Sequence, residues 1–373
     1  MISIFACTPT DKTLYKFDLT KLKENEMTLL EIAEDISYIP LDNSIPLNNI
    51  IPMKIVNDAI FLGSDIGILE FNKEGKFVGK IGKIGRGPGE YLVLGRFCVD
   101  DKSERIYVSD IKGVIKVFSG TGHFIRSFPL KEYGNAIANI EFFNSEIFVQ
   151  YGVHADNEWA ICDTLGNVIK RKPKDLPGFT TNWGGSQLVY KFGNRMSYYN
   201  PLADTVFSIL PDLTEIPSFI IGSGEYRYPR SDLSLDQFLS GKYLSITNIL
   251  ETNHFFVIIY NYNKKHRLTL IDKHNQKSFL LPDEDNNSVI PHSGIINDID
   301  GGLWFFPENC FTERGEEFMI GLQYPYQIKI WIESDEFKYS TPKYPGKKKA
   351  LERLAASLKE TDNPVLVLVR LKK

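Results

Sequence analysis

Short runs of continuous or alternating apolar residues recur along the chain, each bounded by Gly, Asn or Asp. AIFLGSD at 59–65, RIYVSD at 105–110, EIFVQYG at 146–152, RMSYYN at 195–200, HFFVIIY at 254–260 and GLWFFPE at 302–308 share this form. β-branched and aromatic residues between turn formers read as strands. Aligning Ile60, Ile106, Ile147, Met196, Phe255 and Leu303 gives steps of 46, 41, 49, 59 and 48 residues. Six units at that spacing predict a propeller, in which one supersecondary unit repeats around an axis.

The sequence after most of these runs supports the same architecture. ILEFNKEGKFVGKI (68–81) turns at Glu74-Gly75, IKVFSGTGHFIRSF (115–128) at Thr121-Gly122, and AICDTLGNVIKR (160–171) at Leu165-Gly166-Asn167. VFSILPDLTEIPSFII (206–221) and LTLIDKHNQKSFLL (268–281) turn through Asp and Asn. Glycine supplies the positive φ of a tight hairpin, and Asp and Asn tolerate it. Each unit is therefore expected to be a three- or four-stranded antiparallel meander, and the whole an all-β, six-bladed propeller. Radial packing of such blades leaves only short, protected edges.

Helical patterning is confined to the end. KKKALERLAASLKE (347–360) places Leu351, Leu354, Ala355 and Leu358 on one face. Asp362-Asn363-Pro364 stops it, and VLVLVRL (365–371) reads as a strand, as does EDISYIPLDN (34–43). One or both termini are expected to add strands to the last blade, removing the free edges of an open array. The predicted organisation is an N-terminal anchor or linker over 1–27 and a single propeller domain over 28–373, with a closing strand at 364–371.

Composition fits such a ring. Of 373 residues, 43% are hydrophobic and 13% aromatic, unlike a disordered chain. The 43 basic and 47 acidic residues leave a net charge of −4. A nucleic-acid binder carries a basic footprint, so no nucleic-acid partner is expected. Lys347 to Lys349 form too short a run for such a patch and read as a solvated helix start. No apolar run reaches the roughly 18 residues that a membrane-crossing helix needs.

The four cysteines, Cys7, Cys98, Cys162 and Cys310, form no C-x-x-C pair, which argues against zinc or thioredoxin-like chemistry. Cys98 in FCVD and Cys162 in AICD are expected to be buried packing residues. Whether any pair is bridged depends on proximity in space. Cys7 follows an apolar stretch ending Ile-Phe-Ala in MISIFACTPT, and polar residues come next. That order looks like the tail of a lipoprotein signal, in which a small residue precedes the lipidated cysteine. The apolar run is shorter than the roughly 7–15 residues of a usual signal and no basic residue precedes it. Cys7 is still the expected lipidation site, and membrane attachment is expected through it alone.

GKIGRGPGEY (82–91) is the first candidate for chemistry. Gly82 to Gly87 has the span of a phosphate-binding loop, but Pro88 and Gly89 stand where Lys and Ser or Thr are required. A dinucleotide fingerprint starting at Gly85 and Gly87 meets Glu90 at its third glycine, and no helix follows to offer its amides to a phosphate. No nucleotide or other cofactor is expected. The six histidines form no H-E-x-x-H, and no G-x-S-x-G is present, so no catalytic residue and no metal ligand is assigned. Asp65 and Asp110 end equivalent strands and read as turn formers.

One pattern stands apart. Gly-Pro-Gly-Glu-Tyr at 87–91 has an echo in Gly-Ser-Gly-Glu-Tyr at 222–226, 135 residues or three blades later. Both follow the outer strand of a unit, so in a six-fold ring they lie on opposite sides of the axis on one face. Arg86, Glu90, Tyr91, Glu225, Tyr226 and Arg227 are thus candidate ligand-binding residues at the channel mouth, with Arg230 nearby. Tyr suits a sugar face through its apolar body and polar tip. In the packing alternative, the glycines let the chain cross the face closely. The glutamates then hold an Arg or backbone amides, and the tyrosines fill gaps between blades.

Four segments, ISYIPL (36–41), GKIGRGPGEY (82–91), FCVDDKSERIYVSD (97–110) and LAASLKETDNPVLVLVRLKK (354–373), resemble the six-bladed β-propeller lipoproteins of gut Gram-negative anaerobes. Those are related to NHL-repeat and TolB-like propellers. The resemblance spans nearly the whole chain. It implies the fold, a cell-envelope location (periplasmic or outer-membrane) and a lipid anchor, without assigning an activity.

Two functions follow as expectations. One is a non-enzymatic envelope propeller that binds a glycan, small-molecule or protein ligand at one face. The other is a hydrolase or lyase acting on carbohydrate at the channel mouth. Converging carboxylates or a metal-paired His in the central pocket would mark the enzyme. A purely structural component would instead expose an apolar patch on one face.

Overall fold

The computed structural model describes residues 14–373 except 49, 51, 111–112, 131–136, 153–154, 175–185, 230–232, 283–289 and 291. Six antiparallel sheets follow one another around an axis. Blade one comprises Met53–Val56, Ala59–Ser64, Gly67–Asn72 and Phe77–Ile81. Blade two comprises Phe97–Val99, Ile106–Asp110, Val114–Phe118 and Phe124–Pro129. Blade three comprises Ile137–Phe143, Glu146–Tyr151, Asn157–Cys162 and Val168–Pro173. Blade four comprises Leu188–Phe192, Arg195–Tyr199, Thr205–Ile209 and Glu215–Ile221, and blade five Ser245–Glu251, Phe255–Tyr262, Lys265–Asp272 and Ser278–Leu280. The first strands of successive blades neighbour one another and so surround the axis.

Local chemistry sets these meanders. Asn57-Asp58, Asn144-Ser145 and Asn263-Lys264 each hold two successive positive φ angles, the two-residue hairpin whose twist matches its strands. Gly122, at φ +81°, turns blade two's outer hairpin, and a Cβ there would stand 2.2 Å from the Lys80 carbonyl oxygen of blade one. Both faces of each blade are covered by its neighbours, which explains the near-continuous apolar runs. Phe61, Ile68, Tyr91, Phe97 and Phe118 fill the gap between blades one and two. Phe148, Trp159, Met196 and Tyr198 fill that between three and four. Leu41, Met53, Leu62, Ile320 and Leu366 join blade six back to blade one. Cys98 and Cys162 are fully buried between blades two and three, and with Cys310 they are free thiols. Burial pushes the Cys162 thiol up to about 12.

Both termini close the ring, as the sequence predicts. Blade six runs Asn309–Glu313, Glu316–Gln323, Val365–Leu371 and, outermost, Ala33–Pro40. Ala33 faces Leu371 and Pro40 faces Val365 across an antiparallel pair. The sixth repeat differs from its expected position. GLWFFPE is not the second strand of the blade, which is Glu316–Gln323. It is a connecting segment in which Phe305 and Ile295 exchange backbone hydrogen bonds of 2.8 and 2.9 Å. Its apolar side chains serve packing of another kind: Leu303 sits against helices and Phe305 against blades five and six.

Among the described residues five α-helices interrupt the strands: α1 (Leu29–Ile32), α2 (Leu235–Leu239), α3 (Pro325–Glu333), α4 (Asp335–Tyr339) and α5 (Pro345–Ser357). Helices α3 to α5 pack through Ile328, Trp331, Phe337, Leu351 and Ala355 onto Leu303 and Val365. Among the described residues, no helix is long and apolar enough to cross a membrane. The stretch expected as part of a linker is partly docked. Tyr15–Phe17 adds a fifth, parallel strand to blade four, and the Asn25 N–H donates to the Leu280 carbonyl of blade five. Cys7 lies outside the described residues.

Candidate functional site

The loop from blade one to blade two is braced internally. Glu90 accepts a 2.8 Å hydrogen bond from the Gly87 N–H and crowds Gly85, where a Cβ would stand 2.1 Å from its carboxylate. Tyr91 is completely buried. Its hydroxyl donates to the Ile81 carbonyl at 3.0 Å and accepts from the Ile68 N–H at 3.2 Å, which ties the loop to two strands of blade one. Arg86 is exposed. In the echo loop, Gly224–Tyr226 forms a 3-10 turn. Tyr226 meets Tyr262 edge-on at 5.4 Å, Glu225 is exposed, and Arg227 pairs with Asp204 at 2.6 Å. The packing roles foreseen for Glu90 and Tyr91 thus describe their surroundings. Removing the hydroxyl with Tyr91→Phe is expected to cost about 1–2 kcal/mol, because two backbone groups lose their buried partner. Chemical denaturation measures it, and a change below about 0.5 kcal/mol would refute that brace.

None of these six residues lines the main cavity. That cavity, about 980 Å³, lies on the axis and is walled by the first strands of all six blades. Its lining runs from residues just before those strands, such as Arg96 and Glu308, to residues at or past their ends, such as Asn57, Asp101 and Thr252. Strand alternation sends one set of side chains into the blade cores and the other towards the axis. Ile140, for example, packs in the core between blades two and three, and the polar residues on either side of it, Asn139 and Glu141, line the cavity.

Charge on this wall is organised in two clamps. Glu141 on blade three is buried and held between Lys54 of blade one and Lys191 of blade four, the latter at 3.7 Å. Burial would raise its carboxyl, but the two ammonium groups outweigh that and hold it below the usual carboxylate range. Glu251 on blade five is fully buried between Arg195 and Lys273, the lysine at 2.6 Å. Burial pulls Lys273 down from its ordinary value.

Two further groups are unclamped. Glu308, just before the first strand of blade six, opens onto the cavity, yet protein encloses it closely enough that desolvation pushes its carboxyl up to about 7. No described cation pairs with it. Its surroundings include Tyr324, Phe306 and His266 on the same lining, with His266 stacked on Phe306 at 5.5 Å. Arg96, just before the first strand of blade two, also lines the cavity, and burial depresses its guanidinium from its ordinary value. Among the described residues, no three His, Cys, Asp or Glu side chains are placed to hold a metal ion.

Comparison with known proteins follows from this geometry. A family model described as a domain of unknown function, DUF4934, matches residues 14–370. The chain belongs to the DUF4934 family. A crystal structure of a protein described as exported, from Bacteroides fragilis, is similar to the DUF4934 chain at a TM-score of 0.70 and 20% identity. It covers 97% of this chain and 100% of that one. A member of the DUF4221 family from Bacteroides vulgatus gives a TM-score of 0.51 and 12% identity, over 94% and 99% of the two chains. These likenesses bear on the fold. No curated protein matches the chain.

Motif reasoning gave no binding role to the charged cavity residues of the DUF4934 chain. Lys54, Arg96, Glu141, Lys191, Glu251 and Glu308 stand singly, each on a different part of the ring. The available signal was a charged residue inside or beside an apolar first strand, as in IANIEFF and SITNILE.

Proposed function

We propose that the protein is a cell-envelope propeller that binds a ligand in its axial channel, at the face where the first strands begin. The observation that carries this is the axial cavity of about 980 Å³ with Glu308 on its wall, a carboxyl raised to about 7 and left without a cation. A cavity-facing ionisable group shifted this far and left without a counter-charge marks the kind of place where a ligand binds. Arg86 and Glu225 lie on loops entering the same face and would meet a part of the ligand or partner that projects outwards. An exported relative of the same fold supports the envelope location. Lipidation at Cys7 and kinship with NHL and TolB-like propellers belong to the same proposal.

Titration calorimetry against glycan and peptide panels tests it. At least one binder is expected, weakened about tenfold by Glu308→Gln, equivalent to about 1.4 kcal/mol. Binding that ignores Glu308 would sink the channel site. The pH response supplies a second check. Folded Glu308 keeps its proton up to about 7, whereas an ordinary glutamate releases it near 4.5. The folded state therefore binds more protons between those values, and stability falls as pH rises across that window. Thermal melts of Glu308→Gln should show a flatter profile from pH 5 to 7; an unchanged slope assigns the effect elsewhere.

A carbohydrate-cleaving role is the second possibility, since a carboxyl near 7 suits a general acid. Glycoside cleavage also needs a second carboxylate as nucleophile or base. Glu141 and Glu251 are each clamped by two cations, and Glu317 accepts both its hydrogen bonds from the Asn253 N–H. Binding is therefore preferred.

A further inference from the structure

Three cations from three blades line the channel: Lys54 and Lys191 meet at Glu141 of blade three, and Arg96 stands on blade two, between blades one and three. Lys54 comes from blade one, Arg96 from the start of blade two and Lys191 from blade four. The carboxylate set among them is Glu141, and it is already saturated: Lys54 and Lys191 hold its two oxygens, and the Phe142 N–H adds a 3.2 Å hydrogen bond. Arg96 receives nothing from it. The Arg96 backbone is pinned to Ser109 through a 2.8 Å N–H to Oγ bond and a 3.1 Å return bond, while no described carboxylate pairs with the guanidinium. Asp101 lines the same cavity, but five residues further along. At about 3.3 Å per strand residue it lies on the order of 16 Å away. Glu251 is neutralised by its own clamp, and Glu308 stands two blades from Arg96, on blade six.

This wall therefore carries excess positive charge inside a cavity. We infer that Arg96, with Lys54 and Lys191, forms a subsite for the anionic oxygens of the ligand: a carboxylate, sulfate or phosphate group. The inference rests on the ligand-binding role of the channel proposed above and names the charge class that the ligand carries. Arg96 supplies a planar fork suited to two oxygens of one group. The lysines, already half-engaged by Glu141, add point charge at its flank.

Calorimetry at constant ionic strength tests it, with sodium sulfate, sodium phosphate and glucuronate as probes and glucose as the neutral control. Glucuronate is expected to bind at least tenfold more tightly than glucose, and Arg96→Gln to remove that preference. Lys191→Gln should weaken binding several-fold. The melting temperature of unliganded Arg96→Gln should match or exceed that of the parent, because an unpaired guanidinium adds nothing to folding. A fall in melting temperature with anion binding intact would assign Arg96 to structure and overturn the inference. Sulfate or phosphate binding without glucuronate supports a site for free oxyanions rather than acidic sugars. Anion binding that survives both substitutions lies elsewhere and overturns it. Neutral glycans or peptides that bind through Glu308 with no anion preference would defeat the subsite and leave the channel role standing. Absence of any channel binding would defeat both.

Discussion

Replacing Glu251 with Gln is expected to destabilise the protein by about 3–5 kcal/mol, the usual penalty for removing one partner of a buried charge group. Glu251 is fully buried, with Arg195 and Lys273 on one of its oxygens. The amide keeps the shape and removes the charge that makes two enclosed cations compatible. Lys273 also donates to the Thr252 carbonyl and lies over the rings of Phe192 and Phe256, at 4.0 and 4.6 Å. It cannot reach water without giving up those contacts. In a chain of this length each kcal/mol shifts the melting temperature by roughly 2 °C, so differential scanning calorimetry should record a fall of about 6–10 °C. A compensated variant, Glu251→Leu with Arg195→Met and Lys273→Met, should recover most of it, since apolar replacements of whole ion clusters are often neutral. A loss below about 1 kcal/mol for Glu251→Gln would mean that cavity water solvates the freed cations.

The second large effect belongs to ring closure. Asn363→Ala should cost about 3 kcal/mol, because one side chain serves three backbone groups, one buried and two part-buried, that would all lose their partner. Its Oδ1 accepts from the Leu47 N–H at 2.9 Å, and its Nδ2 donates to the Asp42 and Ile45 carbonyls at 2.6 and 2.7 Å. Asn363→Asp should fare no better, since a carboxylate would face two carbonyl oxygens. Urea unfolding gives the magnitude. Limited proteolysis is expected to cut first near 42–47 in either variant. Cleavage elsewhere, with parental stability, would contradict a closing role.

The sequence made the blades legible because hairpins depend on local chemistry. Gly75, Gly122 and Gly166 sit at positive φ where the turns were expected. The closing strands were visible because VLVLVRL is near-continuously apolar and ISYIPL is rich in β-branched and aromatic residues. The sixth unit misled because GLWFFPE satisfies a strand's composition while Leu303 packs on α3 to α5 and Phe305 fills space against blades five and six. Of these helices, α5 was legible in the apolar face of 347–360, whereas α3 and α4 were signalled weakly. Pro325 opens α3 and Ser334 caps α4, accepting from the Phe337 N–H, but α4 is too short to show periodicity. The channel was unreadable for another reason. Its charged residues alternate singly with core residues and meet only when the ring brings blades one, three and four together.

Closure carries a consequence for the order in which the molecule is built. Lys372 donates to the Leu30 carbonyl across 342 residues of chain. The thermodynamic cost of so long a loop is modest, since each doubling of length adds only about 0.6 kcal/mol. Time is the larger matter. Blades one to five can form in sequence as the polypeptide leaves the ribosome, each resting on the one before. The strand Ala33–Pro40 is made before blades one to five and must wait, edge exposed, until its partner Val365–Leu371 emerges after them. Long-range strand pairing is slow and leaves sticky edges open meanwhile. A strand synthesised ahead of every complete blade thus pairs only after five of them are made, and the hazards of biogenesis concentrate in that interval.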